Sequence, residues 1–150
     1  MTERTVDELR AAVVAEAYSW LRTPYVHLGD IKGVGVDCAM ILVRTYQTVG
    51  LVPDFDPRPY EPEWFLHQDE ERYMAGLEKY CRRVEKPGLG DIALYRMGRT
   101  ASHGAIVVSD ELVIHAYRPH GNVELCEMRS AVFLDQKGRP RLDSYWSVFP

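Results

Sequence analysis

Ser102-His103-Gly104-Ala105-Ile106-Val107-Val108-Ser109-Asp110-Glu111-Leu112-Val113-Ile114-His115-Ala116-Tyr117 holds two apolar runs around a short polar turn. β-Branched residues dominate both runs, which suits pleated strands. The turn at Ser109-Asp110-Glu111 is too short for a crossover helix, so the strands must be antiparallel neighbours. Side chains alternate across a strand, and the length of the loop therefore decides which residues share a face. A three-residue loop pairs Val108 with Leu112 and His103 with Tyr117, which puts His103 and His115 on one face. A two-residue loop would separate them.

The same period of two extends outward from this hairpin. Candidate strands are Asp91–Met97, His103–Ser109, Leu112–Tyr117, Val123–Met128 and Ser144–Phe149, which read as an antiparallel meander. The first half of the chain is helical in pattern. Leu9, Ala12, Val13, Ala17, Trp20 and Leu21 fall on one face of a helix over Val6–Leu21, stopped before Pro24. Glycine-punctuated residues 23–35 read as a loop, and a buried helix is expected from Asp37 or Cys38 to Val49, ending at Gly50. Residues 51–62 carry four prolines and read as an irregular connection, followed by a more polar helix over Glu63–Cys81. Helices first and strands second make the chain α+β, with helices packed on an antiparallel sheet of five or six strands.

Cys38 is expected in the first turn of the buried helix. There, free N–H groups and the positive end of the helix dipole lower a thiol pKa and favour the nucleophilic thiolate. In that reading His103 takes the thiol proton and His115 holds the His103 ring. The plainer alternatives are a packing cysteine beside Met40 and Ile41 and two satisfied histidines. Asp37 is expected to cap the helix. Ser102 either faces a substrate or ends a turn. His27 reads as an exposed loop histidine, His67 and His120 have no evident partner, and Cys81 and Cys126 read as packing cysteines.

The chain has 150 residues, a single-domain length, with 46% hydrophobic and 27% charged residues and a formal net charge of −4. No basic surplus is available to neutralise phosphates, which argues against nucleic acid as the main partner. No apolar run is long enough to cross a bilayer, so no membrane span is expected. The polar start Met1–Glu8 lacks the layout of a signal peptide, and synthesis in a cytoplasm is expected. Three cysteines without a C-x-x-C pair argue against a disulfide scaffold or a cysteine-rich zinc site; no metal or other cofactor is expected.

Thr23-Pro24-Tyr25, Gly29 and Gly35-Val36-Asp37-Cys38 together resemble the "TPY…GxDCSGLV" block of the NlpC/P60 family of papain-like cysteine peptidases. Gly90-Asp91-Ile92-Ala93-Leu94-Tyr95 resembles its "PGDLVFF" strand, Ser102–Val107 its "SHVGIY" strand and Ile114-His115-Ala116 its "IHA". The likeness runs from about Val6 to Tyr117 with the blocks in order.

The resemblance implies a papain-like fold over 1–150 and a catalytic triad of Cys38, His103 and His115. It implies that Tyr25 reaches the oxyanion region; Asp37, besides capping the helix, and Ser102 are counted with Tyr25 as candidates to meet the oxyanion or the substrate. The implied reaction is hydrolysis of peptidoglycan stem peptides at the amide from D-γ-glutamyl to diaminopimelate or lysine. The wording "VDCAMILVRTY…GLVP" resembles the phage and prophage branch, which implies phage tail proteins as partners and action at the cell wall. Ala39-Met40 stands where the family has Ser-Gly, removing a hydroxyl that could touch substrate, and Leu89 replaces a proline. Two readings stay open beside the peptidase: a non-catalytic tail-assembly protein on the same fold, and a thiol amidase or acyltransferase on another amide. Residues 54–86 form an insertion that reads as a lid, a substrate wall, a docking surface or simple packing.

Overall fold

Thr5 opens the first helix by accepting the Glu8 N–H on its hydroxyl at 3.1 Å, a side-chain cap that satisfies one of the helix's free donors. The computed structural model describes residues 3–60, 70–97 and 100–150, with side chains described at all of these except 70–74 and 100–102. Helix α1 spans Val6–Ser19 and buries Val13 and Ala17, with Trp20 just beyond its end. The 23–35 loop contains a two-stranded ribbon of β1 (Asp30–Ile31) and β2 (Gly35–Val36). A Cβ on Gly35 would lie 2.6 Å from Val26 Cγ2, so this close approach needs glycine.

Helix α2, Met40–Val49, is the buried helix expected from its apolar circumference. Gly50 ends it at φ 86°, the left-handed conformation that glycine adopts without strain. Helix α3 covers Glu70–Tyr80. The expected helix start at Glu63, and with it Trp64, Phe65 and His67, lies outside the described residues. After α3 come β3 (Arg82–Val84), β4 (Ile92–Met97), β5 (Thr100–Val107), β6 (Leu112–Tyr117), β7 (Asn122–Glu127) and β8 (Leu142–Ser147).

These last six strands form one antiparallel sheet in the order β3-β8-β4-β5-β6-β7. The meander holds from β4 to β7, whereas β8 returns to insert between β3 and β4. Strand β3 escapes the sequence reading because Arg82 and Arg83 are exposed and show no apolar alternation. The β5–β6 register pairs Ile106 with Ile114 and Val107 with Val113, as the three-residue turn requires.

Alternation divides the core in two. Ile92, Leu94, Ile106, Ile114 and Ala116 face α1 and α2 and pack with Val13, Met40, Ile41 and Tyr46. Ala93, Tyr95, Ala105, Val107 and Val113 form a second cluster, closed by Phe133. A short 3₁₀ turn, Ala131–Phe133, stacks the Phe133 ring on Tyr95 with centroids 3.8 Å apart. Burying a side chain of this size is worth roughly 1.5–3 kcal/mol relative to exposure, so Phe133 contributes substantially to this second cluster.

Candidate active site

His103 lies opposite Tyr95 in the β4–β5 ladder, and His115 lies opposite Glu124 in the β6–β7 ladder. The odd β5–β6 loop puts both imidazoles on the face of the second cluster, where His103 Nε2 sits 2.8 Å from His115 Nδ1. His115 is fully buried, with Tyr117 stacked at 5.1 Å and Phe133 at 5.0 Å between centroids. Burial lowers the His103 pKa to about 4 and holds the ring neutral at ordinary pH. His115 is lowered as well, by burial first and then by His103 and His120.

Glu124 sets the tautomers of this pair. Its carboxylate, which only accepts, lies 3.0 Å from His115 Nε2. Nε2 of His115 therefore carries the proton, its Nδ1 accepts, and His103 donates from Nε2. That leaves His103 Nδ1 as the lone pair, free to act as a base. His120, for which the sequence offered no partner, also donates its Nδ1–H to Glu124, at 2.8 Å. Glu124 was missed in the sequence, although a signal existed. A four-residue turn, 118–121, ending in Gly121, pairs Tyr117 with Asn122 and so His115 with Glu124.

Cys38 stands two residues before the start of α2. The Asp37 carboxylate accepts from the N–H groups of Ala39 at 3.2 Å and Met40 at 2.9 Å, and caps the helix as expected. Its other oxygen accepts from the Leu28 N–H at 2.8 Å and the Tyr60 hydroxyl at 2.5 Å, so one buried carboxylate ties three segments together. The Tyr25 hydroxyl donates to Cys38 Sγ at 3.7 Å. Tyr25 is placed by backbone bonds to both sides: its N–H donates to Gly121 O at 2.8 Å, and the Val36 N–H donates to Pro24 O at 3.0 Å. The loop thus links the turn before Glu124 to the strand before Cys38.

The expected thiolate is corrected. Burial, and then the negative charge of Asp37, push the Cys38 thiol up to about 12. The N–H groups of Cys38 and Ala39 and the Tyr25 hydroxyl pull the other way and lose. The cap adds to the effect of burial, because the carboxylate that satisfies the helix start also sets a like charge beside the sulfur. His27 is corrected too. It is half-buried, 3.8 Å from the Asp37 carboxylate and edge-on to Tyr60.

The structure brings His103 to His115 and Tyr25 to Cys38; among the described residues, no hydrogen bond joins these two pairs. The side chain of Ser102 lies outside the described residues. Ala39 and Met40 are 7% and 0% exposed, and Met40 belongs to the helical core. Cys81 packs against that core as expected. Cys126 packs on the second cluster, but its Sγ also lies 3.4 Å from His115 Nε2. Cys126 and Glu124 address the same ring nitrogen, so these three residues form no nucleophile-to-carboxylate relay.

No protein-family model matches the sequence, and no curated protein matches it. Solved structures do match in fold. The NlpC/p60 domain of the peptidoglycan hydrolase SagA superposes with a TM-score of 0.63 at 22% identity, covering 92% of this chain and 97% of that one. The peptidoglycan hydrolase RipB from Mycobacterium tuberculosis gives 0.67 at 16% identity over 100% of this chain and 69% of its own. An NlpC/P60 family protein from Bacillus cereus gives 0.65 at 18% identity over 94% of this chain and 40% of its own. The chain has the α+β fold of NlpC/P60 domains.

Proposed function

We propose that this chain is a cysteine peptidase of the NlpC/P60 type that hydrolyses peptidoglycan stem peptides at the amide from D-γ-glutamyl to diaminopimelate or lysine. The observation that carries this reading is the run of ring nitrogens from His103 through His115 to Glu124, which presents His103 Nδ1 as a base. The NlpC/P60 fold, shared with peptidoglycan hydrolases, supports the substrate class.

The free protein holds a neutral thiol and a neutral imidazole, so proton transfer accompanies attack rather than preceding it. Cys38 Sγ attacks the amide carbon while its proton passes to His103 Nδ1; hydrogen bonds of this kind commonly tighten only when substrate is bound. The resulting imidazolium donates from Nε2 to His115, whose ring is held by Glu124. The tetrahedral oxyanion is met by the Cys38 N–H and the Tyr25 hydroxyl, donors of a kind worth about 3–4 kcal/mol each. His103 then protonates the leaving amine, and water, deprotonated by the same ring, clears the thioester.

A tail-associated setting, with phage tail proteins as partners, rests on the sequence resemblance. The non-catalytic reading on the same fold draws on one observation, the neutral, partly buried Cys38 thiol. Digestion of purified muropeptides read by mass separates the readings. Products split at the γ-glutamyl amide support the peptidase, products split at another amide support the amidase, and intact muropeptides support the structural role.

A further inference from the structure

We propose that His115 Nε2, Glu124 and Cys126 form a binding site for a zinc-class divalent cation on the side of His115 away from His103. Strand register builds it. Glu124 lies directly across the β6–β7 ladder from His115, and Cys126, two residues further, lies across from Val113 on the same face. One ligand atom from each residue falls within 4.8 Å of the others.

The separations suit a metal. Tetrahedral zinc, with bonds of roughly 2.0–2.3 Å, sets its ligand atoms about 3.3 Å apart for nitrogen and oxygen and about 3.6 Å apart for nitrogen and sulfur. Here His115 Nε2 stands 3.0 Å from the Glu124 carboxylate and 3.4 Å from Cys126 Sγ. A few tenths of an ångström of expansion brings both separations from His115 Nε2 to those values, with the Glu124 and Cys126 ligand atoms within 4.8 Å of each other. Imidazole, thiolate and carboxylate together favour zinc over calcium or magnesium, which prefer all-oxygen shells. The fourth position is left to water, with half-exposed His120 alongside on the solvent side as the entry. The other ring nitrogen of His115 already has a partner in His103, as metal-bound histidines require. Sequence spacing hides the site, because its ligands pair across strands rather than along the chain.

Binding is balanced as follows. Cys126 releases its proton to solvent and the sulfur–metal bond forms. The proton on His115 Nε2 shifts to Nδ1, which then donates to His103 Nε2, and the proton there shifts to His103 Nδ1. The lone pair assigned to the base is thereby occupied. Zinc therefore switches off hydrolysis, a consequence that rests on the proposed peptidase, whereas the site itself does not.

Titration of the intact chain with cobalt(II), a spectroscopic stand-in for zinc, tests the site without any turnover. One equivalent with a thiolate-to-cobalt charge-transfer band is expected in the native protein and in Cys38→Ala. The band is lost in Cys126→Ser, and affinity falls roughly tenfold or more in Glu124→Gln. As a readout free of substitutions, stoichiometric zinc slows alkylation of Cys126, mapped by peptide, and leaves Cys81 unaffected. Absence of the band in the native protein, or a band that survives Cys126→Ser and vanishes in Cys38→Ala, overturns the site. For the switch, zinc inhibits native muropeptide hydrolysis and inhibits Cys126→Ser far less, each measured against its own zinc-free rate. Zinc bound with hydrolysis undiminished overturns the switch. A chain that cleaves no muropeptide counts against the peptidase alone, and the cobalt spectra still decide the site.

Discussion

His103 Nε2 and His115 Nδ1 stand 2.8 Å apart with their ring planes at 78°, and the carboxylate of Glu124 on the far side fixes which ring donates. With both rings neutral, only one arrangement of protons satisfies all three groups, and it leaves Nδ1 of His103 unprotonated. A single acidic residue on an edge strand thereby sets the tautomer of a ring it does not touch.

Glu124→Gln tests that control. The glutamine amide can present a donor to His115 Nε2 and reverse both tautomers, so kcat on muropeptides should fall by about tenfold or more while KM changes little. Glu124→Asp, which keeps an acceptor, should recover part of the loss. Equal kcat in native and Gln forms would show that the tautomers are not set here.

Acid should weaken the fold through the buried histidines. The His103 pKa is about 4 when folded against 6.5 for the free side chain, so the unfolded chain binds its proton first as pH falls. Stability contributed by the neutral ring is complete above pH ~6.5 and is lost progressively down to about pH 4, at about 1.4 kcal/mol per unit of pKa difference. His115 acts with the same sign, opposed by the nearby Glu124 carboxylate. Thermal melts across this range should show a falling Tm, and a Tm that rises on acidification would contradict the neutral pair.

Alkylation of Cys38 should follow a protonated thiol. With the group pushed up to about 12, the rate should climb about tenfold per pH unit across the neutral and mildly alkaline range. No preferential labelling of Cys38 over Cys81 or Cys126 is expected near pH 6–7, since those thiols are pushed up to about 12 and 11. A Cys38 rate already at its plateau below pH 7 would reveal a thiolate–imidazolium pair instead.

Asp37→Asn separates the two roles of that carboxylate. Loss of the charged cap and weakened anchoring of Leu28 and Tyr60 should cost about 1–3 kcal/mol in denaturant unfolding. Removing the charge should also move the Cys38 alkylation profile to lower pH, since Asp37 is the second-largest cause of its elevation. A profile that stays in place would confine Asp37 to the helix cap.

Legibility in the sequence followed the physics of each segment. The β5–β6 hairpin was readable because three turn residues and strict alternation leave one register, and that register alone brought His103 to His115. Helix α2 was readable from its apolar circumference and its glycine stop. Strand β3 was not, because its arginines face solvent and its place depends on β8, 60 residues further on. Glu124 was hidden for the same reason: an acid on an exposed edge strand looks like ordinary surface until the cross-strand partner is known. The state of Cys38 was misjudged because position at a helix start argues for a thiolate, whereas desolvation and the capping acid argue more strongly against it.

Turnover of a purified stem-peptide substrate by native protein and by Cys38→Ala, side by side, bears most directly on the proposed reaction. Cys38→Ala should lose at least about a thousandfold in rate, as removal of a catalytic nucleophile does elsewhere, while its melting temperature stays close to native. Cleavage by Cys38→Ala at the native rate would place the chemistry somewhere other than this thiol.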